Sequence, residues 1–108
     1  MKPHVFHPEA NREYTEAAEY YARIRDELGG RFYDELEGLI LDIRRQPDRF
    51  RQFDAPARRH FSDVFPYAVI YLDEPDCVWI VAVMHMKRRP GYWRDRLQNP
   101  LPPPPQKV

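Results

Sequence analysis

The chain has 108 residues, of which 43% are hydrophobic and 14% aromatic, and its formal net charge is zero at pH 7. This length allows one domain with a modest core, and the composition excludes an intrinsically disordered chain. No apolar run approaches the ~18 residues that span a bilayer, and the first residues lack the apolar stretch of a signal peptide. We therefore expect a cytoplasmic protein that has no membrane partner. The single cysteine, Cys77, lies in an apolar run, where we expect a reduced and buried side chain.

The net charge of zero conceals an asymmetry between two parts of the chain. Residues 1–42 contain five Lys and Arg against ten Asp and Glu, whereas the remainder contains twelve against seven. The two parts therefore carry net charges of −5 and +5. The basic part favours an anionic partner, but the neutral whole is not drawn strongly to nucleic acid.

The acidic part of the chain predicts a short strand and two helices. His4 to His7 has the pattern of a strand, and Pro8 suits the first turn of a helix, where its missing N–H costs nothing. Apolar residues then recur at helical spacing as far as Leu28, and the pair Gly29-Gly30 is predicted to end this helix. A second amphipathic helix follows and stops before Pro47. Two helices joined by so short a turn should pack as an antiparallel hairpin.

The basic part of the chain predicts three strands. Residues 48–57 are polar and predict a loop, after which Arg58 to Phe61 is a short, exposed strand. Tyr67 to Leu72 and Cys77 to Met84 are the next two strands, and a hairpin turn joins them. The last strand is apolar on both faces, so we expect it inside the sheet, covered on one side by the helices.

The resulting order, β-α-α-β-β-β, predicts an α+β domain in which a helix hairpin packs on a small, mainly antiparallel sheet. We assign this domain to residues 1–99. Residues 100–108 are rich in proline, and we expect an extended tail that has no fold of its own.

A cluster of charged and aromatic residues follows the last strand. It contains one histidine, five cations and two aromatic residues within the segment His85-Met86-Lys87-Arg88-Arg89-Pro90-Gly91-Tyr92-Trp93-Arg94-Asp95-Arg96. So many charged groups are costly to bury. The segment therefore predicts a surface that meets a polar or anionic partner.

Four residues at this edge are candidates for catalysis. His85 could act as a general acid or base because its unperturbed pKa is close to neutrality, or it could tie the strand end to the following segment. Arg59, from the neighbouring strand, and Arg88 could converge on His85 and stabilise a phosphate, or bind acidic groups on a protein. The hydroxyl of Tyr92 could reach the same cluster.

Other residues are candidates for binding a target or partner. The predicted basic rim, solvated or facing a partner, consists of Arg89, Arg94 and Arg96, and Arg58 is a further candidate for binding a target or antitoxin. We expect Trp93 to pack in the core, with binding as the alternative, and we expect Glu13 on the solvated face of the first helix. The histidines lack metal-binding spacing and no glycine-rich phosphate loop is present, so we expect no metal and no cofactor.

Three local patterns, in this order, resemble one protein family. They are Gly29-x-x-Phe32-x-x-Glu35-Leu36, Phe65-Pro66-Tyr67-Ala68-Val69-Ile70-Tyr71 and His85-x-x-Arg88-x-Pro90-x-Tyr92-Trp93. Together with Arg58-Arg59 they resemble the RelE/ParE superfamily of bacterial toxins from type II toxin–antitoxin systems, over residues 1–97. The resemblance implies the β-α-α-β-β-β fold and neutralisation by a cognate antitoxin, which wraps the toxin with a helix and an extended segment.

Members of this superfamily differ in their targets. RelE-like toxins cut messenger RNA in the ribosome, whereas ParE-like toxins inhibit DNA gyrase. RelE-like toxins usually have an arginine in the strand occupied here by Tyr67-Ala68-Val69 and another near Met86, and neither position is basic in this chain. The resemblance therefore favours a ParE-like growth inhibitor that need not be an enzyme. The alternatives are a ribosome-dependent endoribonuclease and a non-toxic binding module that retains the fold.

Overall fold

The computed structural model describes residues 1–98, and it confirms the predicted α+β fold with a helix hairpin followed by strands. The elements are β1 (His4–Phe6), α1 (Pro8–Ile24), α2 (Asp26–Arg45), β2 (Gln52–Asp54), β3 (Ala57–Phe61), β4 (Tyr67–Asp73), β5 (Val78–His85) and α3 (Asp95–Gln98). The predicted proline-rich tail lies outside the described residues. Within residues 1–98, no helix has both the length and the apolar character that crossing a membrane requires.

The helix hairpin turns at Arg25 and not at the glycine pair. Arg25 is extended, with φ −157° and ψ 139°, and its N–H bonds the carbonyl of Tyr21 at 3.1 Å. The prediction that Gly29-Gly30 ends the first helix is wrong, because both glycines lie inside α2. A Cβ atom at Gly29 would lie 2.7 Å from the Cβ of Ala22, so this glycine permits the close approach of α1 and α2.

The two helices run antiparallel, as predicted. Ala22, near the end of α1, lies against Gly29, near the start of α2. Tyr14, earlier in α1, donates hydrogen bonds to the carbonyl of Tyr33 and to the carboxylate of Glu37, later in α2.

The sheet has the strand order β1-β5-β4-β3-β2. Strand β1 pairs with β5 in parallel, and the other three pairings are antiparallel. Strand β2 lies within the segment 48–57, so the prediction of a loop throughout that segment is wrong. It is an edge strand of three residues, and its one apolar residue, Phe53, is too little to show an alternating pattern in the sequence.

Apolar side chains are buried on both faces of the sheet. On the side of the helices, Ile80 and Val83 pack with Phe32 and Leu36 of α2, and on the opposite side Trp79 and Met84 pack with Trp93 from the segment after β5. Cys77 is buried on the opposite face, which confirms the predicted small buried side chain. Strand β5 is internal and buried along almost its whole length, as its apolar composition predicts.

A bulge in β5 changes the side of the sheet that its last residues face. The pairing with β4 shifts by one residue, so that Ile80 and Ala82 have partners and Val81 has none. Val81 and Ala82 therefore lie on the same face, away from the helices, while Val83 lies on the helix face. His85, two residues after Val83, also faces α1. The bulge thus decides where the histidine lies.

Candidate functional site

A largely buried carboxylate, Glu13 of α1, organises the end of β5. Only 10% of its side chain is exposed. It accepts hydrogen bonds from the N–H of Val83 at 3.1 Å, from the hydroxyl of Tyr92 at 2.6 Å, and from both terminal nitrogens of Arg96 at 2.9 Å. The expectation that Glu13 lies on a solvated face is therefore wrong.

Glu13 and Arg96 lie beside a part of β5 with which no strand among residues 1–98 pairs on that side. Strand β1 pairs with β5 only as far as Ile80, so within the described part of the chain the rest of β5 has no neighbouring strand on that side. There the carbonyl of Val81 accepts a hydrogen bond from Arg96 at 2.8 Å, and the N–H of Val83 donates to Glu13. The two side chains satisfy backbone groups that a neighbouring strand would otherwise bind.

The partners of Glu13 are themselves held in one charge state. Burial disfavours the charge of Arg96, but the Glu13 carboxylate outweighs this effect and raises the pKa of Arg96 above its usual value. Burial and the hydrogen bond to Glu13 raise the pKa of the Tyr92 hydroxyl, which therefore stays protonated and donates. The prediction that Arg96 belongs to a solvated or partner-facing rim is wrong, because only 12% of its side chain is exposed.

A pocket of about 260 Å³ opens between α1 and the ends of β4 and β5. His85 lies in its wall with its ring edge-on to Tyr67, at 5.0 Å between ring centres. Its Nδ1 accepts the N–H of Lys87 at 3.0 Å. In the neutral ring this contact assigns the proton to Nε2, which makes Nε2 a hydrogen-bond donor and not a base.

Arg88 lies at the border between the two faces of the sheet. Its guanidinium stacks on the ring of Tyr92, 3.8 Å from the ring centre, and one terminal nitrogen lies 4.0 Å from Glu13. Half of its side chain is exposed. It lines the pocket that contains His85 and also a second pocket, of about 320 Å³, on the opposite face.

Arg59 does not join His85, so the predicted convergence of the two is wrong. Arg59 pairs with Ile70 of β4, whose side chain lies on the face away from the helices. Its guanidinium packs on the rings of Phe53 and Phe61, at 4.2 and 4.7 Å. Because the bulge places His85 on the helix face, the sheet itself separates the two candidates.

The remaining predicted binding residues have different environments. Trp93 is 1% exposed and contacts Phe53, so its expected core packing is confirmed and its surface is not available to a partner. Arg58 donates to the carbonyls of Asp48 and Phe50, which ties the preceding segment to β3. Arg94 is exposed and bonds Asp54 at 2.6 Å, while Arg89 is exposed in the turn after β5.

The sequence carried a signal for Glu13 that the sequence analysis did not use. Glu13 comes three residues after Ala10 and four residues before Ala17, and both alanines are buried. This spacing places Glu13 on the stripe of α1 that faces the sheet. A carboxylate on a buried stripe predicts a cationic or hydrogen-bonding partner, although not which one.

A comparison with models of protein families shows what the chain is similar to. The model of the ParE toxin of the type II toxin–antitoxin system parDE matches residues 5–90, which include both long helices and strands β2 to β5. No curated protein sequence matches the chain. Tyr92 and Arg96, the side chains that bind Glu13 from the C-terminal segment, follow the matched residues.

Proposed function

This chain belongs to the ParE toxin family of type II toxin–antitoxin systems, and we propose that it arrests bacterial growth by inhibiting DNA gyrase. As a member of this family it has an antitoxin as its partner. The observation that supports an inhibitor over a nuclease is the position of Arg59, which lies on the other side of the sheet from His85.

A nuclease would need several groups in one place. It must activate the ribose 2′-hydroxyl, stabilise the charge on the phosphate in the transition state and protonate the leaving oxygen. In the pocket that contains His85, Arg88 is the cation in the wall, and the Nδ1 atom of His85 is engaged by Lys87. Glu13 also lines this pocket, but its carboxylate is bound by Arg96 and by the hydroxyl of Tyr92, so it is not free to serve as the base.

An inhibitor needs only a complementary surface. The turn after β5 exposes consecutive cations, Lys87, Arg88 and Arg89, and Arg94 is exposed a few residues later. Gly91, with φ +74°, allows the turn that presents them. We propose that these cations bind acidic groups on gyrase.

The test begins with growth. Induced expression of the chain should arrest a bacterial host, and co-expression of the small protein encoded beside it should relieve the arrest. Unimpaired growth at high soluble expression would favour a non-toxic binding module instead.

The target is then tested with purified protein. It should inhibit supercoiling by gyrase and leave ribosome-bound messenger RNA intact. Arg88→Ala should weaken toxicity more than His85→Gln does, because Arg88 is exposed to a partner and His85 is half-buried. Arg23→Ala, which removes another exposed arginine, from α1, is the control. Cleavage of ribosome-bound messenger RNA that His85→Gln abolishes would replace this proposal with the endoribonuclease.

A further inference from the structure

We infer that Glu13 is a positioning residue that holds Arg88 in the orientation in which it binds the target. The inference depends on the proposed function only for the identity of that target. Arg88 is half exposed, and an arginine side chain free in solvent samples many rotamers. Two contacts restrain it, namely the stack on Tyr92 and the carboxylate of Glu13 at 4.0 Å.

Both restraints lead to the same carboxylate. The guanidinium of Arg88 stacks on the ring of Tyr92, and the hydroxyl of Tyr92 is fixed by its 2.6 Å hydrogen bond to Glu13. Within residues 1–98, Glu13 is also the one carboxylate within 4.0 Å of Arg88. Loss of the Glu13 charge would therefore free Arg88 in two ways. It would remove the attraction between the two side chains, and it would loosen the Tyr92 ring on which Arg88 stacks.

Glu13 also offsets a repulsion between two cations. The guanidinium of Arg96 lies 5.1 Å from the centre of the Tyr92 ring, and that of Arg88 lies 3.8 Å from it. Two guanidiniums at one ring carry like charges that repel each other, and a nearby anion offsets this repulsion. Glu13 binds Arg96 in a bidentate pair and attracts Arg88 with the same oxygen, Oε2, that accepts the Tyr92 hydroxyl.

A direct test of this inference follows the side chain of Arg88 by NMR. The Nε–Hε group of Arg88 should show the relaxation of an ordered side chain in the unmodified protein and of a mobile one in Glu13→Gln. Glu9→Gln is the matched control, because it removes the same charge one turn earlier in α1, where Glu9 pairs with the exposed Arg12. An Arg88 that stays ordered in folded Glu13→Gln would overturn the inference.

A double-mutant cycle tests the consequence for binding. Glu13→Gln should raise the amount of toxin needed for growth arrest, or for half-inhibition of gyrase, by about tenfold in the unmodified chain and by much less in the Arg88→Ala background. A merely structural role of Glu13 predicts the same loss in both backgrounds, and that result would refute the inference. Thermal unfolding identifies the variants that remain folded.

A second variant serves if Glu13→Gln does not fold. Tyr92→Phe keeps the ring beneath Arg88 and removes only its hydrogen bond to Glu13. It should make the Arg88 side chain more mobile and should weaken toxicity. The loss of toxicity should again be smaller in the Arg88→Ala background. If gyrase is not inhibited but growth stops, the proposed target fails, while the growth and NMR measurements still decide the role of Glu13.

Discussion

The carboxylate of Glu13 and the guanidinium of Arg96 form a bidentate pair, with two hydrogen bonds of 2.9 Å between residues 83 positions apart. Neither side chain is more than 12% exposed. The pair joins the first helix to the segment that follows the sheet. It therefore connects the helix layer to the arginine-rich surface that we propose as the binding site.

Removal of one partner of this pair should destabilise the protein strongly. In Arg96→Ala the carboxylate of Glu13 loses its bidentate partner and the carbonyl of Val81 loses a hydrogen bond, and we expect a loss of about 3–5 kcal/mol. Urea unfolding of Arg96→Ala and of the unmodified protein measures this loss of unfolding free energy. Arg94→Ala breaks an exposed pair with Asp54 in the same segment and should cost less than about 1 kcal/mol. Equal losses in the two variants would contradict the structural role of the buried pair.

A histidine cap should make stability depend on pH. The Nδ1 atom of His7 accepts the N–H of Glu9 at 3.1 Å and so caps α1. Burial and the charge of Arg96 lower the pKa of His7 below its usual 6.5, although Glu9 and Glu13 oppose the shift. The neutral ring therefore contributes stability that is present above pH 6.5 and is lost as the pH falls through the lowered pKa.

His7→Asn tests this cap. Asparagine keeps an acceptor for the helix N-terminus but does not titrate. The fall in unfolding free energy between about pH 7 and pH 5 should be smaller in His7→Asn than in the unmodified protein. His4, whose pKa is also lowered by burial and Arg44, is present in both proteins and does not affect the comparison. Identical pH profiles would show that the pKa of His7 is the same in the folded and the unfolded protein.

Two adjacent glycines should respond to alanine in opposite directions. A Cβ at Gly29 would lie 2.7 Å from that of Ala22, so Gly29→Ala should push the helices apart at a cost of about 1–3 kcal/mol. Among residues 1–98 no atom outside the local helix lies within 4 Å of a Cβ at Gly30, so Gly30→Ala should raise the free energy of unfolding by about 0.5–1 kcal/mol because alanine favours the helix. Chemical denaturation of the two variants compares them directly. A stable Gly29→Ala would show that the helices can separate at little cost.

The thiol of Cys77 should be protected in the folded protein. Burial raises the pKa of Cys77, and the carboxylates of Glu74 and Asp76 add to this effect. The thiolate, which is the reactive form, is therefore disfavoured. A disulfide reagent such as DTNB should react slowly with native protein and rapidly in urea. A fast reaction under native conditions would show that the end of the sheet opens readily.

The amino-acid sequence by itself determined the order of the main elements and the family. The apolar spacing of the two helices and the continuous apolar run of β5 depend only on residues near one another in the chain. The same is true of the motif from Phe65 to Tyr71. Even so, the pair Gly29-Gly30 predicts a helix boundary that the structure does not have, since glycine has the same local signature at a helix end and at a close contact between helices.

The tertiary structure decided which candidate residues meet. Side chains alternate between the two faces along a strand, so one extra residue at Val81 moves every later side chain of β5 to the other face. His85 therefore lies on the helix face, and Arg59 lies on the opposite face. This bulge is a property of the pairing between β4 and β5 and not of either strand alone. The burial of Glu13 likewise depends on Arg96, 83 residues later in the chain, because a carboxylate leaves water only where a partner replaces its hydration.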